Sequence, residues 1–229
     1  MLQSICIYFL YFAIYSIIGW MLEVIYTLIT KKKFVNRGFL IGPYCPIYGS
    51  GLLVILFLYD IEIHFIFKFL IIAVLCSVLE YITSYIMEKI FNARWWDYTN
   101  DFLNINGRVC LETFIEFGLA GTLGLYFLHP IVSNTLLSFE LNTIYILTII
   151  VFVILISDIS ISFNVLNKIK NKIKKESKDN TEEINKKVLN FLKSNNYLYR
   201  RIRDAFPKFK IRLPRDIVKK IKSKFRREM

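Results

Sequence analysis

Five carboxylates interrupt the apolar runs of this chain: Glu23, Glu80, Glu112, Glu116 and Asp158. An ionised carboxyl in hydrocarbon must be paired, protonated or wetted, because an isolated buried charge is too costly to keep. Glu112 and Glu116 stand four apart and share a helical face. Arg37, Arg94 and Arg108 lie near the ends of apolar runs, with Asp97 and Asn106 between the last two. Arg108 precedes Glu112 by four positions, so the two pair within one helix if that helix already includes Arg108. The simplest construction is a polar cluster at one membrane face, made by Glu23, Arg37, Glu80, Arg94, Asp97, Asn106, Arg108, Glu112 and Glu116.

Three roles fit such a cluster. Ion pairs and hydrogen bonds can hold short, broken helices together. Carboxylates that exchange protons or coordinate a cation can serve transport. A carboxylate beside a lipid headgroup can act as a base or hold a metal. The third role lacks a nucleophile–base pair, and neither His64 nor His129 has an obvious ligand cluster. No catalytic residue, cofactor or metal site is therefore expected. A fourth possibility is binding of a protein partner.

The elements that must position these residues are membrane helices. The chain has 229 residues, 55% of them hydrophobic and 16% aromatic. Long apolar runs occupy residues 1–166, and residues 167–229 are polar and basic. Five spans are expected, at about Ile5–Ile29, Pro46–Tyr59, Phe65–Met87, Val109–Leu128 and Leu141–Leu166. The fold class is all-α and polytopic. Residues 1–166 carry 8 Lys/Arg and 11 Asp/Glu, whereas residues 167–229 carry 22 and 7. Basic loops follow spans one and three, acidic loops follow two and four, and the tail is strongly basic. By the positive-inside rule the N-terminus lies outside and the C-terminus inside. The first segment lacks a basic leader and a cleavage site, and reads as a retained span. Lys68 is expected to snorkel, and His129-Pro130 to end span four. Cys6, Cys45, Cys76 and Cys110 are scattered and are expected to be free thiols.

The second span is too short alone. Before it runs Asn36-Arg37-Gly38-Phe39-Leu40-Ile41-Gly42-Pro43-Tyr44-Cys45-Pro46-Ile47-Tyr48-Gly49. Pro43 and Pro46 remove backbone donors, while Gly38, Gly42 and Gly49 allow turns or close approach. Such a break inside a bilayer requires burial against protein or a polar cavity. The expectation is a broken or re-entrant start to span two. Gly107 marks a comparable turn before span four, where Gly118, Gly121 and Gly124 follow at spacing three.

An offset of 57 residues sets Leu22–Arg37 over Leu79–Arg94 with seven identities in sixteen positions, among them Glu23/Glu80 and Arg37/Arg94. This suggests a parallel repeat with units at residues 5–59 and 65–128. The tail attached to a membrane domain makes anionic headgroups its default partner, and nucleic acid a poor one. Thr181–Leu192 and Ile217–Phe225 can form short amphipathic segments. A disordered topology anchor is the alternative.

Gly19-Trp20-x-x-Glu23, the Asn36–Gly49 stretch, Trp95-Trp96-Asp97-Tyr98 and Asn106-Gly107-Arg108 resemble the bacterial family called putative ABC-transporter type IV permeases. The resemblance covers roughly residues 5–130 and extends toward 160. It implies a multi-pass protein of the bacterial cytoplasmic membrane, a transport role and a separate ATPase subunit. The chain contains no G-x-x-x-x-G-K-[S/T] run, so it supplies no ATPase itself. A transport-associated component, a structural or regulatory protein that binds anionic lipid or a partner, and a lipid-modifying enzyme remain the three functional readings.

Overall fold

The computed structural model describes residues 1–176, 197–207 and 210–211. Helix α1 runs Leu2–Lys31, α2 Pro46–Leu56, α3 Phe65–Phe91, α4 Leu111–Leu123, α5 His129–Leu137, α6 Leu141–Glu176 and α7 Tyr197–Ala205. Four stretches are long and apolar enough to cross a membrane: Leu2–Lys31, Phe65–Phe91, Leu111–Leu137 and Leu141–Lys168. With the shorter apolar α2, they give the five-helix membrane body expected from the sequence. A two-residue strand, β1 (Ala93–Arg94), pairs antiparallel with β2 (Lys210–Ile211).

Helix α2 packs on α1, α4 packs on α3, and α6 lies along α1. Ile55, Leu58, Ile72 and Leu125 form one fully buried knot where α2 meets α3 and the α4 span. Tyr11, Tyr15, Val132, Leu136 and Ile144 form another between α1, α5 and α6. Ile149, Phe152 and Val153 on α6 stay exposed. A bilayer covers such a surface, so its apolarity is ordinary for a membrane span.

The short second helix begins halfway along the first. The Cys45 N–H donates to the Ser16 carbonyl at 2.8 Å, and Ser16 sits in the middle of Leu2–Lys31. Loop 1 (residues 32–45) therefore folds back along α1 before α2 starts with Pro46 in its first turn. Eleven residues span only about 16 Å, which covers the remaining half-thickness. The close approach is built from small residues: a Cβ on Gly19 would strike the Tyr48 ring, and one on Gly49 would strike the Phe12 carbonyl and the Ser16 hydroxyl.

Three features differ from the sequence expectations. His129-Pro130 does not end the fourth span, which continues to Leu137. A π-helical turn at Gly124–Leu128 precedes the proline, with the His129 N–H bonded to the Gly124 carbonyl. The wider turn lets Pro130 follow without breaking the span. Lys68 is buried, with its ammonium 5.2 Å from the Tyr126 ring centre, a cation–π placement in place of snorkelling. Tail residues 197–207 form a helix and a turn against the membrane body, and this was not anticipated. Thr181–Leu192 and Ile217–Phe225 lie outside the described residues.

Candidate functional site

Loop 1 brings its backbone into the protein interior, where every polar group needs a partner. Asp158, on α6, supplies the acceptors. Its Oδ1 accepts from the Ile41 N–H at 2.9 Å and the Ser162 hydroxyl at 2.8 Å. Its Oδ2 accepts from the Gly42 N–H at 2.7 Å and the Tyr44 hydroxyl at 2.5 Å. Arg201, on α7, supplies the donors. Its guanidinium donates to the carbonyls of Leu40 at 2.7 Å, Phe39 at 2.8 Å and Gly38 at 3.3 Å. One loop is thus held from opposite sides by an anion that takes its N–H groups and a cation that takes its carbonyls. Burial pulls the Arg201 pKa down and the field of Asp158 pushes it back up. An arginine stays charged under such a shift. Asn36 completes the loop by accepting from Trp20 at 2.8 Å and donating to the Ile41 carbonyl at 2.7 Å. Gly38 has φ +94°, and a Cβ there would meet the Cys45 sulfur.

Beneath the start of α2 lies Glu23. It accepts from Arg37 Nε at 3.0 Å and from the Tyr48 hydroxyl at 2.6 Å. Arg37 also donates to the Ala205 carbonyl at the end of α7. The Glu23–Arg37 pair is thus tied to α1, loop 1, α2 and the tail helix.

Loop 2 (residues 92–110) carries a second network. Glu88 accepts from Arg94 Nε at 3.1 Å and Arg108 at 3.0 Å. Arg94 also reaches Asp97 at 3.5 Å and the Asn106 carbonyl at 3.1 Å. Arg108 donates to Ser84 at 3.0 Å and lies over the rings of Tyr81 and Tyr85. Asn106 and Gly107 both have positive φ, as the centre of a type I′ turn requires. A Cβ on Gly107 would press on Thr99, Asp97 and Arg94. A polar open cleft of about 410 Å³ runs along this loop, lined by Tyr81, Tyr85, Arg94, Asn106 and Arg108 among others.

Between the two networks stands Glu80, 5% exposed. The Tyr98 hydroxyl donates to its Oε1 at 3.2 Å, and its Oε2 has no hydrogen-bond partner among the described residues. Burial pushes the Tyr98 phenol up, and the Glu80 charge and hydrogen bond push it further, so the phenol stays neutral and able to donate. Glu23 and Glu116 are near enough for their charges to act on Glu80. Two carboxylate–tyrosine pairs, Glu23–Tyr48 and Glu80–Tyr98, therefore adjoin, one from each helix pair.

Residues 10–163 match the family described as Putative ABC-transporter type IV. The chain belongs to that family. No curated protein and no solved structure matches it. The family match spans loop 1, loop 2 and Asp158, and stops short of α7.

Within this family member the nine polar positions singled out in the sequence do not form one cluster. Glu23 and Arg37 pair at loop 1, while Arg94, Asp97, Asn106 and Arg108 gather around Glu88 and loop 2. Glu80 lies between them. Glu112 and Glu116 are exposed on α4. Helix α4 begins at Leu111, so Arg108 precedes it and turns to Glu88 and Ser84, not to Glu112. Pro43 and Gly42 lie in loop 1 beside the Asp158 contacts, and Pro46 opens α2. The structure adds Tyr44, Tyr48, Glu88, Tyr98 and Arg201 to the site, and it places Asp158, one of the five carboxylates, at loop 1 and outside the expected cluster. Asp158 was legible as a charge inside a span, but nothing local tied it to loop 1. Among the described residues no group of three His, Cys, Asp or Glu stands close enough to hold a metal ion.

Proposed function

We propose that this protein is a transport-associated component of the bacterial cytoplasmic membrane, a permease subunit whose solute sits between the helices at the Glu23–Glu80 region. The observation that carries this reading is the half-length second helix, which starts midway along α1 directly above Glu23 and Tyr48. Interrupted helices that bring backbone termini and charged side chains to mid-depth are how membrane transporters build polar sites in a bilayer. Glu23, Glu80 and Glu116 lie within reach of one another's charges, and Arg37 pairs with Glu23 alone among them. That imbalance suits a cationic or protonatable solute. In this reading the loops, α7 and the basic tail face the cytoplasm, where an ATPase subunit and anionic headgroups are available.

The test is purification from the native membrane under conditions that keep membrane complexes intact. Recovery of a stoichiometric ATPase supports the permease-subunit reading. Repeated recovery without one overturns it.

A second reading has its own observation. Glu88, Arg94, Asp97 and Arg108 are mutually matched, as are Glu23 and Arg37. A network with its charges internally balanced is what a structural or regulatory membrane protein needs. Glu23→Gln and Glu80→Gln separate the readings. The structural role predicts a lower melting temperature in detergent for each. The transport role predicts lost uptake in a folded protein.

A further inference from the structure

Helix α7 lies beyond the family match and closes over the candidate site, and β2 after it pairs with Ala93 and Arg94 of loop 2. Its attachment is unusual. Arg201 is 6% exposed and donates through its two terminal nitrogens to three successive carbonyls of loop 1. Ile202, 3% exposed, joins Phe91, Trp95, Val165 and Leu166 in a buried cluster, and Phe206 packs on the Trp95 ring with centroids 5.0 Å apart. The Ala205 carbonyl accepts from Arg37, the partner of Glu23. One short helix therefore touches loop 1, loop 2 and the Glu23–Arg37 pair at once.

The nine described residues of α7 gain little stability of their own in water, so their tertiary contacts hold them in place. The carbonyls that Arg201 binds are neutral acceptors already lining a loop that Asp158 anchors from the other side. Removing α7 leaves the Asp158 contacts in place and frees the face of the loop next to Arg37.

We propose that α7 is an intramolecular latch, docking and undocking as one unit, that closes the approach to the Glu23–Arg37 pair from the loop end of the molecule. Docked, it holds loop 1 against α1 and occupies the free side of Arg37. Undocked, it exposes Arg37 and the buried turn at Gly38–Cys45. This device is independent of which solute, if any, the protein carries.

Cys45 reports the state of the latch. It is 5% exposed, and its sulfur lies 3.9 Å from the Arg37 carbonyl. The full-length protein with Cys6, Cys76 and Cys110 replaced by Ser is labelled at Cys45 with a small methanethiosulfonate, and the labelled peptide is quantified by mass spectrometry. Arg201→Ala is expected to raise the labelling rate about ten- to a hundredfold, the population change that loss of charge-assisted hydrogen bonds produces. Arg200→Ala, at an exposed position of the same helix, is expected to leave it unchanged. Equal rates for Arg201→Ala and its parent overturn the proposal. A second arm keeps the test valid if Arg201→Ala fails to fold. Lys33 and Asp204 form a surface ion pair at 3.7 Å, and Lys33→Cys with Asp204→Cys allows α7 to be bolted down by a short bis-maleimide cross-linker that spans the lost side chains. The bolted protein is expected to label at Cys45 more slowly than the same protein without the cross-link. Equal rates with and without the cross-link mean that α7 does not move, and they overturn the latch.

Discussion

Asp158 accepts four hydrogen bonds, three of them from a loop more than a hundred positions earlier in the chain. Replacing it by Ala strands two backbone N–H groups and a phenol in the interior. Asp158→Ala is expected to destabilise the protein by about 3–5 kcal/mol, a fall in Tm on the order of 10 °C. Ser162→Ala removes a single donor and is expected to cost no more than about 1 kcal/mol. Thermal unfolding in one detergent distinguishes the two, and equal losses would rule out the carboxylate as the anchor of the loop. The presence of a carboxylate at position 158 was plain from the sequence, because one charge in a long apolar run cannot be overlooked. Its partners were not. Tyr44, Tyr48 and Tyr98 are three of 14 tyrosines, and Arg201 is one of 22 basic residues in the tail. No local pattern marks which of them folds inward, because each is selected by contacts with residues far along the chain.

At the scale of elements, the half-length α2 depends on close packing at Gly19 and Gly49. Gly49 faces backbone, the Phe12 carbonyl, which cannot move aside as a side chain does. Gly49→Leu is expected to unseat α2 from α1, lower the melting temperature and expose Cys45 to thiol reagents. Gly51 has only ordinary contacts with Leu79 and Cys76, so Gly51→Ala is the matched control and should behave like the parent. The shortness of the second span and its Gly/Pro approach were legible because bilayer thickness sets a length that fourteen apolar residues do not meet. The course of the fourth helix was not. A proline normally stops or kinks a helix, and the π-turn that carries this span past Pro130 has no recognisable local sequence mark.

Over the whole molecule, loops 1 and 2 and α7 meet at one end, and the Asp60–His64 turn belongs to the other. The charge pattern assigns the first end to the cytoplasm. A cysteine introduced at Lys33 is therefore expected to react with an impermeant reagent only from the cytoplasmic side of sealed vesicles, and one at Glu62 only from the opposite side. Reaction of both from the same side would refute the arrangement. Alternation of basic and acidic loops is the sequence's own argument for this orientation, since it depends on composition and not on contacts. The gathering of both loops beneath one tail helix had no such trace. The tail read as a charged anchor because lysines and arginines dominate it, while the few apolar residues that dock, Ile202 and Phe206, are sparse.

The bond between Asp158 and Ile41 joins residues 117 positions apart. A ribosome adding about 5–20 residues per second makes Asp158 on the order of ten seconds after Ile41. Throughout that interval α1 and loop 1 have emerged, but the carboxylate that satisfies the amides of the loop has not been synthesised. The loop therefore cannot settle at its final depth while the early helices are being inserted. It has to wait at the water interface or against the insertion machinery, and it sinks into place only when the last span arrives. Biogenesis of this protein thus has a built-in late step, and truncations that end before α6 should accumulate with an unseated second helix, open to protease at Gly38–Cys45.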